Sequence, residues 1–278
     1  MLKQRVITAV ALLAILLPAL FAPPAWPFAV LTLLLIGAAG WEWARLNGPS
    51  GAAAVACGVA LALACGLALQ AGWAEHPPAL AWWLATLVWV LGGAWALKVG
   101  PAGWPGLAPW LRCGLGLVGL WTAWLALANA KSTGVNFILS VFCLVWAADI
   151  AAYFGGRSFG RRKLAPAISP GKSWEGVWSG MVGVLLLAFV WLAIERHVAV
   201  DSRSLYGALR ERLGVAGMVP VLLFLAAMSV VGDLVESLAK RAAGAKDSSQ
   251  LLPGHGGVLD RVDALLPVFP LALAMSSL

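Results

Sequence analysis

Apolar stretches of membrane length dominate this chain and leave it few ways to fold. A helix needs about 20 apolar residues to cross a bilayer core. On that rule nine segments qualify, at roughly 6–21, 27–44, 52–71, 80–97, 113–130, 134–154, 176–194, 217–239 and 258–276. A mean hydropathy of +0.89 with only 11% charged residues excludes an ordinary soluble domain. Sixteen Trp fit the same class, because indole rings favour the membrane–water interface. The expected fold is all-α: a single polytopic membrane domain over 1–278, with about nine transmembrane helices. Met1 to Arg5 followed by an apolar run to Phe21 has the outline of a secretory leader, but the spans that follow favour a retained first helix.

The distribution of positive charge sets an expected orientation. With the N-terminus cytoplasmic, the connections on that side hold Lys3, Arg5, Arg45, Lys98, Arg112, Arg157, Arg161, Arg162, Lys163, Lys172, Lys240, Arg241, Lys246 and Arg261. The far side keeps Lys131, Arg196, Arg203, Arg210 and Arg212, fourteen against five. Basic loops that bind substrate would give this bias a second cause. Cys57, Cys65, Cys113 and Cys143 sit in or beside apolar runs without CxxC spacing and read as small buried hydrophobes.

Polar residues divide the chain into halves. Up to about Ala130 it is rich in Ala, Leu, Gly and Trp and reads as scaffold, helices packed through small residues. Residues 131–278 add three polar loops, at 155–175, 195–216 and 241–257. The Arg210-Glu211-Arg212 run in the second reads as a solvated helix face.

Two constellations carry chemistry. In the first, Asp149 sits near the end of an apolar helix, where an acid is functional by default, although a structural carboxylate paired with Arg or Lys is the plain alternative. Tyr153 shares its face at i+4. Arg157, Arg161, Arg162 and Lys163 then offer a grip for phosphate oxygens. Gly171-Lys172-Ser173 is not a P-loop: the required upstream glycine is Pro166, and no strand precedes it. Ser169-Pro170 and Ser173 instead predict a turn into an N-capped helix with Glu175 in its first turn.

The second constellation lies in 232–263, with five of the twelve carboxylates and four basic residues. Asp233, Glu236, Ser237 and Lys240 are spaced to share one helical face. Beyond Lys246-Asp247 and Pro253-Gly254-His255-Gly256-Gly257, Asp260 and Asp263 again share a face, beside Arg261. Carboxylates mixed with cations suit Mg²⁺ and phosphate respectively, and two helix ends are able to present Asp233 and Asp260 to one ion. For His255, a loop hydrogen bond or packing competes evenly with a catalytic role.

Ser237-Leu-Ala-Lys240-Arg241, Lys246-Asp247 and His255-Gly256-Gly257-Val-Leu-Asp260-Arg261-Val-Asp263 resemble the signature of the phosphatidate cytidylyltransferase family. Asp149-x-x-Ala152-Tyr153 and Ser169-Pro170-x-Lys172-Ser173-x-Glu175-Gly176 resemble a second region of that family. The resemblance implies a membrane enzyme of the bacterial inner membrane, its site facing the cytoplasm, acting as a homodimer without nucleic acid. Its substrates would be CTP and phosphatidic acid within membrane lipid, and its cofactor Mg²⁺, with a second cation as an option.

Chemistry then suggests roles. Catalytic candidates are Asp233, Asp260, Lys240, Arg261 and His255; metal candidates are Asp233 and Asp260, then Asp149 and Asp263. Substrate and phosphate candidates are Lys172, Ser173, Ser237, Arg241, Lys246 and Tyr153. A lipid kinase of the dolichol type would share much of this logic, and a secondary transporter would also place charges in spans. Polar residues clustered at the ends of spans favour surface chemistry.

Overall fold

The computed structural model describes the chain apart from residues 1, 23–24 and 79, and the side chains of residues 2–6 and 9 also lie outside the description. Its helices are α1 (Leu2–Phe21), α2 (Trp26–Asn47), α3 (Gly51–Gln70), α4 (Ala81–Leu87), α5 (Gly93–Gly103), α6 (Pro109–Thr133), α7 (Val135–Phe159), α8 (Trp174–Glu195) and α9 (Leu205–Ala242), then α10 (Leu259–Val262) and α11 (Leu265–Ser276). A π-helical turn, Val88–Gly92, joins α4 to α5. Among the described residues seven helical segments are long and apolar enough to cross a membrane: α2, α3, Ala81–Gly106, α6, α7, α8 and α9. This is an all-α polytopic membrane architecture. Large side chains such as Leu34, Leu63, Leu91 and Leu186 stay exposed on it, as lipid-facing residues do.

Three sequence expectations need correction. The stretch 258–276, expected as a ninth span, forms α10 and α11 instead. Twelve residues of α11 rise only about 18 Å, short of a hydrocarbon core of about 30 Å. Its residues from Leu266 to Ala274 are buried, packed on α9, α6 and α4, so its apolarity serves the protein interior. Second, the expected loop 195–216 shrinks to nine residues, because α9 begins at Leu205 and bends at Gly214, φ 65°. Leu205, Tyr206 and Leu209 are fully buried, which draws that polar-looking stretch onto the core as a helix. Third, a two-stranded antiparallel hairpin, β1 (Lys163–Ala165) and β2 (Ser169–Ser173), interrupts the all-helical pattern between α7 and α8.

Hydrogen bonds across the bundle sort the helix ends into two sets. Thr8 of α1 donates to the Pro253 carbonyl at 2.9 Å, and Trp104 Nε1 donates to Asn47 Oδ1 at 2.9 Å. Those contacts put the start of α1 beside the 243–258 loop, and the end of α2 beside the end of α5. At the other end Lys131 reaches the Leu20 carbonyl at 2.6 Å, and Asp201 meets the start of α7. The end of α7, the start of α8 and the end of α9 therefore share one end of the bundle with the hairpin.

Candidate active site

Small residues bring α7 and α8 together where the site begins. Gly176, Gly180 and Gly183 of α8 lie against Ala152, Ala148 and Ala151 of α7, an approach that larger side chains would prevent. As predicted, Ser173 caps α8, accepting from the Gly176 N–H at 3.2 Å. Glu175 accepts from the Arg161 and Arg162 N–H groups at 3.0 and 3.2 Å, tying the end of α7 to the start of α8. The hairpin is thereby held so that β2 projects Lys172 inward.

A cavity of about 470 Å³ opens at this junction. Asp149, Tyr153 and Arg157 of α7, Lys172 and Ser173 of β2, and Asp233 of α9 line it, over an apolar floor that includes Val177 and Val230. The Lys172 ammonium stands 2.7 Å from Asp233 Oδ2, with both side chains about one quarter to one third exposed (26% and 30%). The Ser237 hydroxyl donates to Asp233 Oδ1 at 3.2 Å, and Arg157 donates to the Tyr153 hydroxyl at 3.4 Å. Asp149 lies within electrostatic reach of Lys172 and Asp233. Five of the predicted residues, Asp149, Tyr153, Lys172, Ser173 and Asp233, thus meet on one cavity.

Of the remaining predicted residues, Lys240, Asp260 and Asp263 lie in an adjoining, more enclosed cluster, whereas Arg241, Lys246 and Arg261 are exposed. Lys240 bridges Glu236 at 2.5 Å and Asp260 at 2.6 Å. Asp260 Oδ2 also accepts from the N–H groups of Ser248 and Gly257, at 2.9 and 2.8 Å, and from the Ser248 hydroxyl at 2.8 Å. Burial pushes the Asp260 carboxyl up, but the Lys240 ammonium and those donors outweigh it and bring it down to about 2. Asp263 accepts from the Ala264 N–H at 2.8 Å and lies within electrostatic reach of Asp233, Lys240 and Asp149. Arg261 donates through Nε to the His255 carbonyl at 2.9 Å, while the His255 Nδ1 is buried without a hydrogen-bond partner among the described residues. Arg241 donates to the Ile168 carbonyl at 3.3 Å, joining α9 to the hairpin. Lys246 lines a separate cavity of about 750 Å³ with Trp41, Arg45 and Gln250. Asp233 and Asp260 have different hydrogen-bonding partners: Asp233 faces the first cavity, while Asp260 is enclosed by the loop.

Comparison with known proteins matches the sequence to a family. The sequence model of the Cytidylyltransferase family matches residues 3–278. The chain belongs to that family. The phosphatidate cytidylyltransferase of Pseudomonas aeruginosa is 43% identical over 281 residues, covering 99% of this chain and 97% of the relative. That of Haemophilus influenzae is 52% identical over 137 residues, 49% of this chain and 44% of the relative. That of Bacillus subtilis is 38% identical over 142 residues, 51% of this chain and 48% of the relative.

For this cytidylyltransferase-family chain, reading the first half as scaffold alone missed Glu42. It lies on α2, is fully buried, accepts three hydrogen bonds from the 248–259 segment, and shares the Ser248 hydroxyl proton with Asp260. The available signal was an acid inside an apolar helix, the same feature that singled out Asp149. The pairing itself joins residues more than 200 positions apart, and no local pattern encodes that.

Among the described residues no group of three or more His, Cys, Asp or Glu is placed to hold a metal ion. Two carboxylates on one cavity, Asp149 and Asp233, fit an ion that takes its other ligands from water and substrate phosphate, as Mg²⁺ commonly does. Both Asp260 oxygens are occupied by protein donors.

Proposed function

We propose that this protein joins CTP and phosphatidate to give CDP-diacylglycerol and pyrophosphate, the activity for which its relatives are named. One observation supports this most strongly: Lys172, Arg157, Asp149 and Asp233 converge on a cavity whose floor is apolar. A lipid phosphate needs cations for its oxygens and an apolar wall for its glycerol and acyl portion. In the proposed reaction a phosphatidate oxygen bonds to the α-phosphorus of CTP, and the α–β bridging bond breaks to release pyrophosphate. The nucleophile is already an anion, so no strong base is needed, and the proposed machinery has none. Bringing two anions together is the obstacle, and Lys172 and Arg157 are placed to offset it. Asp233 orients the Lys172 ammonium, and Ser237 in turn orients Asp233.

Asp149 and Asp233 would hold Mg²⁺, with Asp263 close enough to add its charge. When bound, the ion would draw charge from the reacting phosphates. Lys240, Asp260, Arg261 and His255 act in this reading by holding the loop that encloses the site.

Incubating detergent-purified protein with phosphatidate, Mg²⁺ and CTP labelled at the α-phosphorus tests the reaction. A lipid-linked labelled product is expected; its absence would sink the reading, and lipid label from γ-labelled CTP would indicate a kinase. Access to cytoplasmic CTP requires the site end to face inward, as the positive charges favour. A cysteine at the exposed Ser158 should then resist an impermeant thiol reagent in intact cells and react after lysis. Labelling in intact cells would reverse the orientation.

A further inference from the structure

We propose that Glu42 is a positioning residue: it locks the Asp260-bearing loop to the scaffold and, through Ser248, sets the Asp260–Lys240 pair. Its Oε1 accepts from the Ser249 hydroxyl at 2.5 Å and the Val258 N–H at 3.0 Å. Its Oε2 accepts from the Leu259 N–H at 2.7 Å and stands 3.2 Å from the Ser248 hydroxyl, whose one proton it shares with Asp260. Each oxygen thus faces one backbone N–H and one hydroxyl. Ser248 has a single hydroxyl proton and two acidic neighbours, Glu42 at 3.2 Å and Asp260 at 2.8 Å. The chain of contacts runs from α2 through Ser248 and Asp260 to Lys240 and Glu236 on α9. Gly257 completes the junction, because a Cβ there would overlap both Ser248 Oγ and the Glu42 carboxylate.

This geometry makes Glu42→Gln discriminating. Whichever way the amide turns, its NH₂ must face the N–H of Val258 or of Leu259, two donors opposed with no acceptor between them. Loss of a buried acceptor in a low-dielectric site is not replaced by water. Removing the Ser248 hydroxyl leaves both backbone bonds to Glu42 in place, and the Ser248 N–H still donates to Asp260, but the hydroxyl connection between Glu42 and Asp260 is lost.

The inference rests on the cytidylyl-transfer reading for its kinetic readout, and amide exchange gives a second readout that does not. The test compares the full-length protein in detergent with Glu42→Gln, Ser248→Ala and the double variant. Glu42→Gln should speed hydrogen exchange at Val258 and Leu259 by about 10-fold or more while exchange in α8 stays unchanged. It should lower kcat per folded molecule by about 10- to 100-fold, with KM for CTP nearly constant. Ser248→Ala should lower kcat less, and the double variant should fall no further than Glu42→Gln alone. A merely structural Glu42 would reduce the amount of folded protein and leave kcat per folded molecule intact. That outcome, strictly additive losses, or unchanged exchange at Val258 and Leu259 would each overturn the proposal. Should the wild-type protein make no CDP-lipid, the proposed reaction fails, and exchange still decides whether Glu42 holds the loop.

Discussion

Acidic residues stand at both ends of the α7–α9 bundle; apart from Glu175, which ties helix ends together, those at the cavity are used differently from those at the far end. At the far end Asp201 accepts from the Val135 and Asn136 N–H groups at 2.6 and 3.0 Å, satisfying the start of α7. Glu195 accepts from the Asn136 side chain, the Ser204 N–H and the Ser204 hydroxyl, at 2.9, 2.8 and 2.6 Å. Partial burial pushes the Asp201 carboxyl up, but the Asn136 and Val135 N–H groups outweigh it and leave it below the ordinary range. Such a group stabilises the fold at neutral pH, and that contribution is lost as pH falls through its lowered value. At the site end Asp149 and Asp233 instead face a cavity, and Asp233 has a side-chain ammonium as its partner. Carboxylates saturated by backbone donors staple helices together. Those facing a cavity, with a side-chain ammonium as partner, remain available to a ligand.

Substitutions sharpen this contrast in order of size. Asp233→Asn and Lys172→Ala should each lower kcat/KM by about 10²–10³-fold, since each removes a charge at the cavity. Their double variant should fall short of the product, because the two groups already act as a pair. If each single variant kept more than a tenth of wild-type activity, the two ends would not differ as argued.

Asp260→Asn and Arg261→Ala should have intermediate effects, about 10- to 100-fold in kcat, because they act through the enclosing loop. The Asp260 network should hold at neutral pH and weaken only as pH falls from about 4 towards about 2, where this carboxyl protonates. Loss of loop protection already near pH 6, followed by amide exchange, would contradict that account.

Asp201→Ala should cost about 1 kcal/mol in thermal or denaturant stability, the usual cost of a lost helix cap, with kcat per folded molecule unchanged. A large kcat loss there would erase the distinction between the ends. Arg210→Ala should be the smallest change, within about 0.5 kcal/mol of wild type. Arg210 lies on the outer turn of α9, where its neighbour Glu211 pairs with Arg203.

Legibility followed the range of the signal. Asp149 and Tyr153 were readable together because i+4 spacing on a helix places them on one face, and both line the cavity. Ser173 as a cap and Glu175 in the first turn of α8 were readable for the same local reason. The shared face of Asp233, Glu236, Ser237 and Lys240 was only half informative. Asp233 turns to the cavity, whereas Glu236 and Lys240 turn into the interior, since a single helical face meets several neighbours.

Hydropathy, then, determined the membrane class and the all-α architecture, because the cost of burying peptide groups in lipid leaves helices as the solution for such long apolar runs. Motif spacing determined which residues belong to the polar end. Hydropathy gave no sign that 258–276 would pack inside the bundle, because lipid and protein interior are equally apolar surroundings. Only the tertiary structure decided that, and only it paired Lys172 with Asp233, Lys240 with Asp260, and Glu42 with a loop more than 200 residues away. Those pairings depend on which helix ends meet in space, and spacing along the chain carries no record of it.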